Sequence, residues 1–262
     1  MSFLKKLPRL VGFALFLMAV LPVNQLRAAD NSVYQIKVYH YKTVAQKQVI
    51  EDYLKDVFVP YIHKSGISKV GVFRTLEADT ADRRIYVLVP FKSLKQMDQV
   101  SDGVLKEIAA SQGNAYANAD YKNPPYTRLE TIVLNAFYKM PAPAAPELSA
   151  PKSERIYELR SYESSTESYF INKVKMFNVG DEVALFKRLN FNAVFYGSVI
   201  AGSRMPNLMY MTTFNNKADR DKHWEAFNTD AYWKELSSKA EYQHNVSKGD
   251  IIFLQPADYS DF

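Results

Sequence analysis

The stretch YELRSY at Tyr157–Tyr162 restates, 123 positions downstream, the pattern YQIKVY at Tyr34–Tyr39. Both runs alternate and are rich in aromatic and branched residues, which marks each as a strand. The spacing is not confined to one strand. Tyr34 pairs with Tyr157, Tyr39 with Tyr162 and Phe91 with Phe214, each 123 positions apart, and Gln35, Ile36 and Lys37 meet Glu158, Leu159 and Arg160 in the same register. A single offset held from the first strand to the third indicates a tandem duplication.

Working outward, Val33–Tyr41 is the first strand of copy one, and Ile50, Tyr53, Leu54, Val57, Phe58 and Tyr61 then recur at helical spacing up to Gly66. Strands are expected over residues 69–76 and 84–91, joined by the polar turn EADTAD, followed by a helix through Leu94, Met97 and Val100. That helix is expected to break near Ser101-Asp102-Gly103 and to resume through Leu105 and Ile108. RLETIVLNAF completes β-α-β-β-α-β, the ferredoxin-like order. Copy two repeats it with a strand at 155–162, one helix over 168–189, strands at 193–200 and 208–214, a helix from Ala218 and a strand at 250–255. Between the copies, Pro141, Pro143, Pro146 and Pro151 stand among small residues, the composition of an extended linker.

The N-terminus has basic Lys5, Lys6 and Arg9, an apolar run from Leu10 to Leu21, then Pro22 and a small-residue exit at Ala28-Ala29. This is the layout of a cleaved export signal, and the run is too short to span a bilayer. The expected organisation is therefore a signal peptide at 1–29, a first ferredoxin-like domain at 30–138, a linker at 139–154 and a second domain at 155–262. The expected location is outside the cytoplasm, periplasmic or extracellular. Losing Lys5, Lys6, Arg9 and Arg27 lowers the formal charge from +5 to +1, so the basic balance belongs to the signal. No basic stripe remains, which argues against nucleic acid and against a membrane surface as partners. With no cysteine in the chain, disulfides, thiolate metal sites and cysteine nucleophiles are excluded.

In copy two, IYELRSY and MPNLMYMTTF are followed by the helical pattern Arg220, Trp224, Phe227, Asp230 and Trp233. Together they resemble the NIPSNAP family over nearly all of residues 155–255. Copy one keeps the strand pattern and lacks both tryptophans, so it is similar to a diverged domain of the same kind. The resemblance implies the dimeric α+β barrel, here made within one chain by two ferredoxin-like units packed sheet to sheet. The expected assembly is a monomeric pseudo-dimer or a higher homo-oligomer.

Alternation places Tyr34, Ile36 and Val38 opposite Gln35, Lys37 and Tyr39, and Tyr157 and Leu159 opposite Glu158, Arg160 and Tyr162. The apolar sets are expected against the helices. The six polar residues are then expected to face one another in the space between the sheets, either holding a small oxygenated or anionic ligand or pairing among themselves. Trp224, Phe227 and Trp233 are expected to be core, Asp230 an N-cap and Arg220 a local pairing residue. His40, His63, His223 and His244 show no metal-binding spacing, and no phosphate-loop or nucleophile-elbow motif is present. The leading expectation is a small-molecule binding or interaction module with no cofactor and no metal. The rival is a small barrel enzyme of oxygenase or isomerase type, with haem ligated by His40 as its cofactor-bearing variant.

Overall fold

A computed structural model describes residues 31–76 and 82–262; the expected signal segment and most of the EADTAD turn lie outside them. The first half runs β1 (Val33–Tyr41), α1 (Val44–Tyr53) continuing through a π turn (Leu54–Phe58) into α2 (Val59–Lys64), β2 (Gly71–Thr75), β3 (Arg83–Phe91), α3 (Leu94–Ala110) and β4 (Arg128–Ala136). The second runs β5 (Ile156–Glu163), α4 (Glu167–Asn178), α5 (Glu182–Arg188), β6 (Phe195–Ala201), β7 (Asn207–Phe214), α6 (Lys217–Thr229), α7 (Ala231–Ser238), a 3-10 turn (Ala240–Tyr242) and β8 (Lys248–Pro256).

The duplication is visible in the caps. Thr43 and Thr166 cap α1 and α4, Ser93 and Asn216 cap α3 and α6, and both pairs keep the 123-residue offset. Each offers a side-chain oxygen to an otherwise orphaned amide in the first helical turn. In each half the strands lie in the ferredoxin order, and the halves join at β2–β8 and β4–β6, closing an antiparallel barrel β1-β3-β2-β8-β5-β7-β6-β4. Closure leaves no free sheet edge among the described strands, which removes the template for edge-to-edge association.

Three expectations are corrected. First, α3 is unbroken through Gly103. The glycine marks a close approach: a Cβ there would lie 1.6 Å from the Tyr61 hydroxyl of α2. Second, the single helix expected over 168–189 is two, parted at Gly180 and Asp181. Asp181 has φ 54, and a Cβ on Gly180 would lie 2.6 Å from the Met176 carbonyl oxygen, so the pair punctuates the chain there.

The third correction concerns faces. The cluster made only of strand and loop residues, the barrel interior, contains Tyr34, Ile36, Val38, Tyr157 and Leu159, with Phe73, Leu88, Leu134 and Met211. The apolar sets thus point into the barrel, and Gln35, Lys37, Tyr39, Glu158, Arg160 and Tyr162 lie beneath the helices. Alternation could not assign the faces because both are covered: along β5 every residue from Tyr157 to Ser161 is buried. A closed eight-stranded barrel is just wide enough for side chains to fill its interior, and large apolar residues do so here.

The linker lies along the second half without regular structure. The Ala144 amide donates to the Val194 carbonyl, and the Ser149 and Ala150 amides donate to Asn215 Oδ1. The chain end crosses to the first half, where Asp261 accepts from the Val70 amide and Phe262 joins the barrel interior.

Candidate functional site

The six polar strand residues form two separate sites, one under the helices of each half. In the second half the site is filled by the protein itself. Glu158 is fully buried; its carboxylate accepts from Arg160 Nε at 2.5 Å, Arg220 Nε at 2.6 Å and Trp224 Nε1 at 3.0 Å. Arg160 also donates to the Tyr162 hydroxyl at 2.6 Å, which lies 3.1 Å from the Tyr210 hydroxyl. The Trp224 ring covers the Arg160 guanidinium at 3.6 Å. A buried carboxylate is tolerated when each oxygen is partnered, and here two cations and an indole N–H do so. Trp224 and Phe227 are core as expected, packed with Phe186 and Phe191, and Trp233 packs beside them. Asp230 caps α7, accepting from the amides of Tyr232 and Trp233. Arg220 pairs across 62 residues with Glu158 as well as with its neighbour Asp221.

In the first half the corresponding site is open. A cavity of about 460 Å³ has Gln35, Lys37, Tyr39 and Thr131 for its floor, Tyr53, Tyr116 and Tyr126 along one wall, and Val100, Ser101 and Val104 of α3 overhead. Tyr53 and Tyr116 stack with ring centroids 3.9 Å apart, and Tyr39 meets Tyr116 edge-on at 6.3 Å. Burial holds the Tyr39 hydroxyl, and those of Tyr53 and Tyr116, in the neutral form by raising their pKa values. Lys37 has no hydrogen-bonding or ion-pair partner among the described residues, and burial lowers its pKa. It therefore does not join Glu158 and Arg160, as pairing across the barrel would require.

Sequence reasoning missed Ser101, Tyr116 and Tyr126. The signal for Ser101 was present: the 123-residue offset carries Trp224 onto it. Tyr116 and Tyr126 come from the connection between α3 and β4, where no periodicity announces a pocket wall.

His40 sits at one mouth of the barrel, beside a space of about 60 Å³ at the junction of the halves. Its Nδ1 is 2.6 Å from Asp82 and its Nε2 3.1 Å from Glu130, so both ring nitrogens are engaged. Neither nitrogen is free for iron and the space cannot take a porphyrin, so haem ligation by His40 does not fit. Among the described residues no three His, Asp or Glu side chains are grouped to hold a metal ion.

The barrel has known counterparts. A provisionally named monooxygenase of Lactobacillus acidophilus superposes with a TM-score of 0.51 over 86% of this chain and 94% of its own, at 14% identity. A second, from Fusobacterium nucleatum, gives 0.51 over 86% and 92% at 8% identity, and an anthrone oxidase-like protein gives 0.51 over 88% and 93% at 9% identity. At such identities the likeness concerns the fold alone. No curated protein matches the sequence. The NIPSNAP family profile matches residues 157–261, the half that carries the Glu158, Arg160, Arg220 and Trp224 network. That segment of the chain is therefore similar to the NIPSNAP family, and the match does not extend into the first half.

Proposed function

We propose that the protein is a small-molecule-binding member of the NIPSNAP family, and that the ligand is held in the cavity of the first half. One observation carries this reading: Lys37, unpaired and partly buried, opens onto about 460 Å³ of tyrosine-lined space at the position where the second half has Arg160 locked in ion pairs. Concave, mostly apolar space with a few convergent polar groups is the usual form of a ligand site. An uncompensated amine there favours an anionic or oxygen-rich occupant. The test is native mass spectrometry for a retained ligand, with calorimetry on small carboxylates. Binding is expected in the wild-type protein and a loss of at least tenfold in Lys37→Met; unchanged affinity in that variant overturns the reading. Since the anion requires the protonated amine, affinity is expected to fall as pH rises through the lowered Lys37 pKa, with the fall displaced to higher pH in Lys37→Arg.

A second reading is an enzyme of oxygenase or isomerase type. Its supporting observation is also Lys37, because an amine drawn toward its neutral form can take a proton from a carbon acid. Incubating a bound ligand with the protein in D₂O separates the two: Lys37-dependent deuterium uptake at ligand carbon supports the enzyme, and its absence supports binding alone. We further propose that the protein is exported and works as a monomer, since the two halves already close each other's barrel edges. Fractionation of the expressing cell and light scattering of the purified protein test these two points.

A further inference from the structure

The 123-residue offset holds at both pairs of helix caps, so it can be carried into the two sites residue by residue. Arg160 falls on Lys37 and Glu158 on Gln35; Trp224 falls on Ser101 and Arg220 on Met97. The cross-strand partner of Arg160 is Tyr210, and that of Lys37 is Val87. Besides the Arg220 guanidinium and the Tyr210 hydroxyl, two things are missing from the first half. One is an aromatic ring, the indole that in the second half lies over the strand cation and offers its N–H to residue 158. The other is a negative charge, the carboxylate that in the second half balances that cation and that a neutral amide replaces in the first. The space that results is the cavity bounded by Ser101, Gln35 and Lys37.

Resting on the reading that this cavity binds a small molecule, we propose that its ligand is an aromatic acid. The ring takes the place that Trp224 holds in the second half, stacked over the Lys37 ammonium and bordered by Tyr53, Tyr116 and Tyr126. The acid group supplies the charge that Glu158 supplies there. The Gln35 amide, with both a donor and an acceptor, meets a polar ring atom or the acid itself. Each part of this ligand corresponds to a side-chain group that one half retains and the other has lost. Ammonium over an aromatic face and ammonium beside a carboxylate are both attractive, and both strengthen out of water.

Three probes separate the contributions by calorimetry on the full chain: 2-naphthoate, octanoate and 2-naphthylmethanol. Naphthoate is expected to bind at least tenfold more tightly than octanoate, which has the charge without the ring, and than the alcohol, which has the ring without the charge. Ser101→Trp, which returns the indole, is expected to abolish naphthoate binding and raise Tm. Gln35→Glu, an isosteric change that returns the carboxylate, is expected to weaken naphthoate at least tenfold and keeps the test valid should Ser101→Trp fail to fold. Octanoate or the alcohol binding as tightly as naphthoate overturns the ligand class and leaves the cavity reading standing. Naphthoate binding unaltered in Gln35→Glu likewise overturns the class. No binding of any probe, with no ligand retained by the purified protein, overturns both.

Discussion

The two halves share a strand order, a register and four helix caps, and they use the same internal position in opposite ways. The second half completes its own site: Trp224 and Arg220 descend from α6 onto Glu158 and Arg160, leaving no buried charge without a partner. The first half has lost the ring and the carboxylate, has kept the cation, and holds space where the ring would be. Duplication within one chain makes such division of labour tolerable, because a half whose own site is filled can carry the stability of a barrel whose other half keeps that site open.

The comparison breaks most visibly at the tryptophan. Trp224→Ala is expected to cost about 3–5 kcal/mol in urea denaturation, since it empties a packed position and strips one donor from Glu158. Ser101→Ala at the matching position is expected to stay within about 0.5 kcal/mol. An equal cost at both would mean that the halves are packed alike.

Next comes the carboxylate. Glu158→Gln leaves the buried Arg160 without a counter-charge and leaves Arg220 with only its outer partner Asp221, and is expected to cost about 3 kcal/mol, measured the same way. The smallest effect is expected at the cations, with opposite signs. Arg160→Met removes a partner from Glu158 and destabilises, whereas Lys37→Met removes an amine that has no partner and is expected to raise Tm by about 2–4 °C. The sign for Lys37 follows from its pKa. Lowered on folding, it makes the unfolded chain the stronger proton binder, so the Lys37 contribution to stability improves as pH rises from the lowered value toward that of free lysine. Lys37→Met removes that slope, and scanning calorimetry from neutral to alkaline pH measures it.

Much of this was legible in the amino-acid order. The repeat of Tyr34, Tyr39 and Phe91 as Tyr157, Tyr162 and Phe214 located the duplication, and the cap at Asp230 and the core position of Trp224 followed from local chemistry. Glycine was the recurrent difficulty. Gly103 and Gly180 look alike in sequence, yet one admits Tyr61 against an intact helix and the other ends a helix. The distinction depends on what packs opposite each of them.

The candidate site was half legible. Its strand residues were identified together, because residue type and alternation select Gln35, Lys37, Tyr39, Glu158, Arg160 and Tyr162 as the polar face. That they divide between two sites, and lie under the helices with the apolar residues inside the barrel, was decided by the tertiary structure. The physical reason is closure. Once eight strands form a barrel with helices outside, strands such as β1 and β5 are covered on both sides, and hydrophobic contrast along them no longer says which side is which. The choice then falls to partners distant in sequence: Trp224 and Arg220 could reach Glu158 only from a helix laid over the outer face, and Ser101 in the matching helix left Lys37 with space in place of a partner.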